Sequence, residues 1–333
     1  DALGDYVLGS SFSYSTKNSN PIKFGGMAKY GFPVKEGVIS VLGITEKPIG
    51  VNGYKLKAIY SYSATKTKDL FDTSGIQTSE GNSKYYSVGI DYPILLRRDK
   101  SIKIGLLGTL QNSYSDLHQD GAKMNNISAD KIRALRLNLN ASSRKNRSLN
   151  NLDFTLSKGF NGLDNNIDND QFKSNPDGIP NFTTAKLNIS RQQYFGKKGF
   201  NLKISSQGQL SSDKLFVPEQ FSYGGSSFGK GFVSNHLFGD QGWALKGQLS
   251  KDNFNVKNNR IFTPYVWYDY GLVTKKNEIN SSKKAATYGI GIGSSSNKLN
   301  FDLGYGIPIF SDIDGTKTGK DNGNFFFNFG MKI

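Results

Sequence analysis

The chain contains no cysteine, so disulfides and thiolate metal sites are excluded. Only two histidines occur, His118 and His236, far apart, which argues against a histidine-rich metal centre and against a Ser-His-Asp constellation. No run of about 18 apolar residues exists, so no transmembrane helix can form. No charged-then-apolar leader opens the chain, and no helical period extends beyond a turn or two. Proline is scarce, at 9 residues. Nothing in the sequence asks for a cofactor, a metal or an enzymatic activity.

What is present points elsewhere. The 333 residues include 38 glycines, 17 tyrosines and 23 phenylalanines, at a mean hydropathy of −0.48. Net charge is +15. Such a balance suits nucleic acid or acidic lipid, and it equally suits lysines that are simply solvated. Their placement along the strands decides between these readings.

The dominant pattern has period two. In "YKLKAIYSYS", Tyr54, Leu56, Ala58, Tyr60 and Tyr62 share one side, against Lys55, Lys57, Ser61 and Ser63 on the other. "FNLKISSQ" sets Phe200, Leu202 and Ile204 against Asn201, Lys203, Ser205 and Gln207. "NFFFNFGMKI" sets Phe325, Phe327, Phe329, Met331 and Ile333 against Asn324, Phe326, Asn328, Gly330 and Lys332. Successive strand side chains point to opposite faces, so each segment is a two-faced strand. A soluble sandwich would bury the apolar face, whereas an outer-membrane barrel turns it to lipid and lines its lumen with the polar face. Segment lengths of about 10 to 15 residues, wet-compatible polar faces and aromatic residues near segment ends favour the barrel. Closure satisfies every backbone group in lipid and leaves no edge. In this setting the lysines belong to a solvated lumen or to surface loops, and no nucleic-acid partner is implied.

Fifteen strands are predicted, at 5–16, 21–32, 37–46, 52–64, 84–94, 101–115, 129–142, 149–159, 182–193, 199–211, 240–250, 260–272, 284–294, 297–307 and 323–333. Some connections are short, such as "PVKEG" (33–37) and "SSSN" (294–297); others are long and polar, such as 161–180. Short turns at one end and long loops at the other are a barrel pattern. Bacterial barrels normally carry an even number of strands, so one strand is expected to lie outside this chain.

One stretch stands apart. "PEQFSYGGSSFGKGF", Pro218 to Phe232, is glycine-rich between aromatic residues and carries Lys230 near its end. A phosphate-binding loop would end in Lys-Ser or Lys-Thr before a helix; here Gly231 and Phe232 come next and the following element is a strand. A flexible linker would not carry Phe221, Tyr223, Phe228 and Phe232, which need to bury surface. The remaining reading is a long loop that folds back and packs inside something. Alone, Lys230 reads as an exposed loop lysine.

This glycine-rich stretch and the downstream segment "LFGDQGWALKGQLS" resemble the lid loop and next strand of two-partner secretion outer-membrane transporters of the haemolysin secretion/activation type. Glu219, Phe221, Gly224, Gly225, Gly231, Phe232, Gly239, Asp240, Gly242 and Trp243 match that pattern. Two positions depart from it: Gly229 stands for a valine and Lys230 for an arginine. "YGFPVKEG" (30–37), "YPILLRRDKSIKI" (92–104), "FTPYVWYDYG" (262–271) and "LNFDLGYGIPI" (299–309) occur in the family's order.

The resemblance implies an all-β, transmembrane antiparallel β-barrel of sixteen strands, about fifteen of them here, with the long lid loop folded into the lumen. Residues 1–333 would form a single barrel domain in the bacterial outer membrane, without the POTRA domains, the plug helix or the first strand. The implied function is secretion of a large unfolded exoprotein: an adhesin, haemolysin, haem scavenger or contact-inhibition toxin. The implied partners are that exoprotein and outer-membrane lipid, with the barrel a monomer. The rival within the same superfamily is an outer-membrane protein insertase. The lid motif is Gly224, Gly225, Lys230, Gly231 and Phe232, and the resemblance implies Asp269 as its partner on the barrel wall. Asp240, Gly242 and Trp243 are implied structural residues after the lid. Lysine is a point charge where arginine is a planar fork, so a less fixed contact is expected at Lys230.

Overall fold

The computed structural model describes residues 6–17, 21–32, 37–50, 52–68, 78–119, 122–164, 172–196, 199–251, 254–256, 260–278, 281–296, 299–313, 316–318 and 323–331. The strands in chain order are β1 (Tyr6–Ser15), β2 (Lys23–Phe32), β3 (Gly37–Ile49), β4 (Tyr54–Lys68), β5 (Thr78–Leu96), β6 (Lys100–Gln119), β7 (Ala122–Lys145), β8 (Ser148–Gly159), β9 (Thr183–Phe195), β10 (Phe200–Ser211), β11 (Phe221–Tyr223), β12 (Leu237–Gly239), β13 (Gln241–Lys251), β14 (Phe254–Val256), β15 (Arg260–Thr274), β16 (Lys283–Ser295), β17 (Leu299–Ile313), β18 (Thr316–Thr318) and β19 (Asn324–Met331). Four of these, β11, β12, β14 and β18, are three residues long. The other fifteen form one antiparallel meander in which each long strand pairs with its neighbours in sequence.

Alternation fixes the two faces. On β5, Tyr86, Val88, Ile90, Tyr92, Ile94 and Leu96 are all exposed, while Ser87 between them is buried. On β19, Phe325, Phe327 and Phe329 are exposed; on β15, Val266 and Tyr268 are exposed while Tyr265, Trp267 and Asp269 are buried. A contiguous apolar outer surface of this extent is a membrane-facing feature. The inner face is polar, with Thr109, Ser157, Asn201, Gln209, Asp269 and Thr287 buried on it.

Adjacent antiparallel strands place alternate connections at the same end. One end carries tight turns, such as the two residues between β7 and β8. There Asn146 and Arg147 have φ of 51° and 58°, the left-handed pair that a two-residue hairpin needs. The other end carries the long connections 160–182 and 212–240. The expected turn at 33–37 lies outside the described residues except Gly37, as does the chain start before Tyr6.

Strands β5, β6 and β7 are longer than expected, at 19, 20 and 24 residues. Their ladders continue to Thr78↔His118 and Gln119↔Ala122. Beyond the amphipathic core both faces become polar, so alternation ceases as a signal while backbone pairing persists.

Candidate functional site

The connection between β10 and β13, residues 212–240, crosses the inner face of the sheet. It touches β7, β9, β15, β16, β17 and β19, so that face must be concave. Three anchor points hold it.

At its base, Glu219 is 2% exposed and takes both ends of the Arg136 guanidinium from β7. Lys186 Nζ of β9 stands 3.6 Å from the same carboxylate. Arg136 also donates to Ser157 Oγ at 3.0 Å and to Thr109 Oγ1 at 3.3 Å. A planar fork meeting a carboxylate gives direction as well as attraction. Burial would raise the Glu219 pKa, but Arg136 and Lys186 outweigh it and hold the carboxyl below its ordinary value of 4.5. A depressed carboxylate pKa contributes stability above the unfolded value and loses it as pH falls. We therefore expect thermal unfolding of the detergent-solubilised chain, followed by circular dichroism, to be flat between about pH 6 and 8 and to weaken below the ordinary value of 4.5.

Asp240 closes the connection and is 1% exposed. Its Oδ1 accepts from the Leu215 amide at 2.8 Å, and its Oδ2 from the Lys276 amide at 2.8 Å. Gln209 Nε2 donates to the Glu219 and Asp240 carbonyls at 2.9 and 3.0 Å. Leu215 and Phe216 pack with Ile132, Ala134 and Phe182, burying the loop's root. Residues 175–179 of the preceding connection meet it, through Ile179 N to Lys214 O and Asn175 Nδ2 to Leu215 O.

Beyond the root, β11 and β12 pair as a short hairpin whose Phe221 and Tyr223 rings face the wall, while Phe238 is exposed on the other side. Phe221, Tyr223, Phe232 and Leu237 cluster with Ala244, Val273 and Ala285. The Tyr223 ring occupies the space a side chain at Gly271 would fill, and the Phe221 ring does the same at Gly242. The Tyr223 hydroxyl donates to Asp269 Oδ1 at 2.5 Å, and Thr287 Oγ1 donates to the same atom at 2.8 Å. Asp269 is fully buried. Leaving a buried acceptor without its donor costs about 1–3 kcal/mol. Tyr223→Phe keeps the ring and deletes the donor, so we expect about a tenfold or greater rise in trypsin cleavage after Lys230, with the strand signal in circular dichroism unchanged.

The tip folds on glycines with positive φ, Gly224 at 119°, Gly225 at 105° and Gly229 at 72°. These let the Gly224 and Gly225 amides turn back onto the Phe228 and Gly229 carbonyls. Gly231 lies flat on the wall. A Cβ there would stand 2.9 Å from Ile307 C and Pro308 N; a Cβ at Gly306 would stand 2.8 Å from Gly231 N and from Lys230 C and O. Asn324 Nδ2 donates to the Gly231 carbonyl at 3.1 Å. Lys246 of β13 reaches inward to donate to the Ser227 carbonyl and stands 5.3 Å from the Phe228 ring centre.

Lys230 lies differently from the expectation. Its Nζ forms no ion pair with Asp269 among the described residues. It stands 4.1 Å from the Phe326 ring centre, 5.3 Å from Trp267 and 5.8 Å from Tyr265. Burial disfavours its charged form, and the carboxylates of Asp302 and Asp269 oppose this through space. Asp269 meets the connection through Tyr223 instead. Gly242 and Trp243 sit at the start of β13, and Trp243 faces outward, 42% exposed, with its Nε1 donating to Ser206 Oγ at 3.0 Å. Sequence reasoning named neither Arg136, Lys186, Thr287 nor Gly306 as site residues. Phe326 on an otherwise polar strand face was the one visible signal of the aromatic wall.

A curled antiparallel sheet with an apolar outside and a polar inside crossed by one anchored connection defines an outer-membrane β-barrel. The haemolysin secretion/activation protein ShlB/FhaC/HecB family matches residues 47–295, most of the chain. The chain belongs to that family, whose members are outer-membrane β-barrels of Gram-negative bacteria. Among solved structures it is similar to CdiB from Escherichia coli, at a TM-score of 0.79 and 18% identity over 98% of this chain and 60% of that one. CdiB from Acinetobacter baumannii gives a TM-score of 0.62 and 15% identity, over 91% of this chain and 55% of that one. BamA from Haemophilus ducreyi lacking POTRA domains 1-3 gives 0.53 and 12%, over 96% and 69%. The chain thus spans little more than half the length of the CdiB chains it matches. No curated protein sequence matches it.

Proposed function

We propose that this barrel is the pore of a two-partner secretion transporter, and that it passes a large unfolded exoprotein across the outer membrane. Connection 212–240 acts as a lid that must leave the lumen during passage. The observation that carries this reading is how the connection is held. It is held by the polar anchors Glu219, Asp240 and Tyr223 and by the packed rings around β11 and β12, and its two-stranded ladder is separate from the barrel sheet. Here each anchor is a discrete contact that can be lost without breaking any rung of the strand ladder.

The driving force needs no nucleotide. An exoprotein that folds outside cannot slide back, so folding free energy rectifies its movement. Asp269, Lys230 and the glycines around them serve as the tip's seat. Trp243 anchors β13 at the membrane interface.

Deleting the gene in its Gram-negative host tests this. The expected result is loss of one large protein from the culture medium, restored by the wild-type gene. An unchanged set of secreted proteins would overturn the reading. A fall in many outer-membrane barrels instead would favour an insertase.

A further inference from the structure

Lys230 is held by three rings, and those rings do not belong to the connection. Tyr265 and Trp267 come from β15 and Phe326 from β19. Their centres lie 5.7 Å apart for Tyr265–Trp267 and 5.6 Å for Trp267–Phe326. Each ring fills the space above a glycine. A Cβ at Gly289 would run into Trp267, one at Gly291 into Tyr265, and one at Gly304 into Phe326. The Tyr265 hydroxyl is pinned by donating to Asp302 Oδ1 at 2.6 Å. The wall therefore builds this pocket whether or not Lys230 is in it. Ring faces attract cations, most strongly when solvent is excluded, and Asp302 favours the ammonium through space.

We propose that Tyr265, Trp267 and Phe326 form a binding site for alkylammonium groups on the inner wall of the barrel, which Lys230 occupies at rest. When the tip withdraws, the site takes lysine side chains of the polypeptide in transit. This second step rests on the secretion reading; the site itself does not. Linkage has two consequences here. A cation that fills the pocket competes with Lys230 and favours the withdrawn tip. The passing chain meanwhile meets one cation-selective foothold on the wall, weak enough to release.

The two tryptophans of the chain make the site observable, since Trp267 lines it and Trp243 faces outward. In the full chain carrying Trp243→Phe and Lys230→Gln, tetramethylammonium chloride should change Trp267 emission saturably, and sodium chloride at equal ionic strength should not. Phe326→Leu in that background should weaken binding about fivefold or more. Restoring Lys230 should weaken it through competition. An unstructured lysine-containing peptide should compete with tetramethylammonium, and its acetylated form should not. Equal responses to the two salts, or indifference to Phe326→Leu, would overturn the site. Specific tetramethylammonium binding without competition by the peptide would confine it to small cations and overturn the transit step. If binding holds but deleting the gene leaves secretion unchanged, the secretion reading fails and the site stands.

Discussion

Replacing Glu219 by glutamine is expected to release the base of connection 212–240 while leaving the barrel ladder paired. The carboxylate is 2% exposed and faces two cations, Arg136 at 12% side-chain exposure and Lys186 at 32%. Glutamine preserves shape and removes the charge, so the two cations are left opposing each other beneath a covered loop. Removing one partner of a buried ion pair costs about 3–5 kcal/mol, chiefly because the remaining charge stays desolvated. Only the docked state bears that cost, since Glu219 sits in the connection and its partners regain water when the connection leaves. At about 1.4 kcal/mol per decade, the released population should rise by roughly 10²-fold or more. Trypsin cleavage after Lys230 and single-channel conductance in planar bilayers should both rise. The double variant Arg136→Met with Glu219→Gln should recover part of the loss, because the uncompensated guanidinium is gone. Glu278→Gln is the control. That carboxylate pairs with Lys275 at 3.6 Å on the surface, and an exposed pair contributes at most about 1 kcal/mol. Wild-type cleavage in Glu219→Gln would show that the base is not an anchor.

The barrel was legible in the sequence because membrane strands must present one apolar face at every second residue. That rule located fifteen strands, and on β13 the same alternation leaves Trp243 and Leu245 exposed while Lys246 and Gln248 are half-buried on the other face. It could not reveal how far the polar extension of β5 to β7 runs, because a ladder with two wet faces has no alternation. Nor could it name Arg136 as the partner of Glu219. The two stand 83 residues apart, and parity assigns a side chain to the lumen without saying how far around the wall a loop will reach. The same gap explains Lys230. The family resemblance implied a carboxylate, and Asp269 does face inward. In this chain, however, the Tyr223 hydroxyl occupies Asp269 Oδ1, and the rings of Tyr265, Trp267 and Phe326 receive the ammonium. A lysine without a fork loses little by exchanging a bidentate carboxylate for ring faces, so the departure from arginine and the aromatic seat are mutually consistent.

Gly306→Val should expel the tip outright. In β17 this glycine supports the backbone of Lys230 and Gly231 directly, and even its first added carbon would lie 2.8 Å from three of their main-chain atoms. A side-chain neighbour could rotate away, but a peptide plane pinned by the Asn324 bond and by Gly231 against Ile307 and Pro308 cannot. Overpacking in a tight core typically costs about 1–3 kcal/mol, and a backbone-to-backbone clash belongs at the upper end. Valine favours strands, so β17 itself should keep its pairing. The variant should therefore insert into membranes normally, conduct at roughly 10²-fold higher open probability and cleave readily after Lys230. Gly247→Val on β13 separates the contact from any general effect of a larger residue, because nothing lies within 4 Å of a Cβ there. It should conduct like the wild type. Glu219→Gln and Gly306→Val act at opposite ends of one segment, the base on β7 and the tip on β17. If the connection leaves the lumen as one body, both costs fall on the same docked state and their free energies should add; if base and tip release separately, the double variant should conduct no more than Gly306→Val alone. The double variant thus reads the cooperativity of the connection's release from conductance alone.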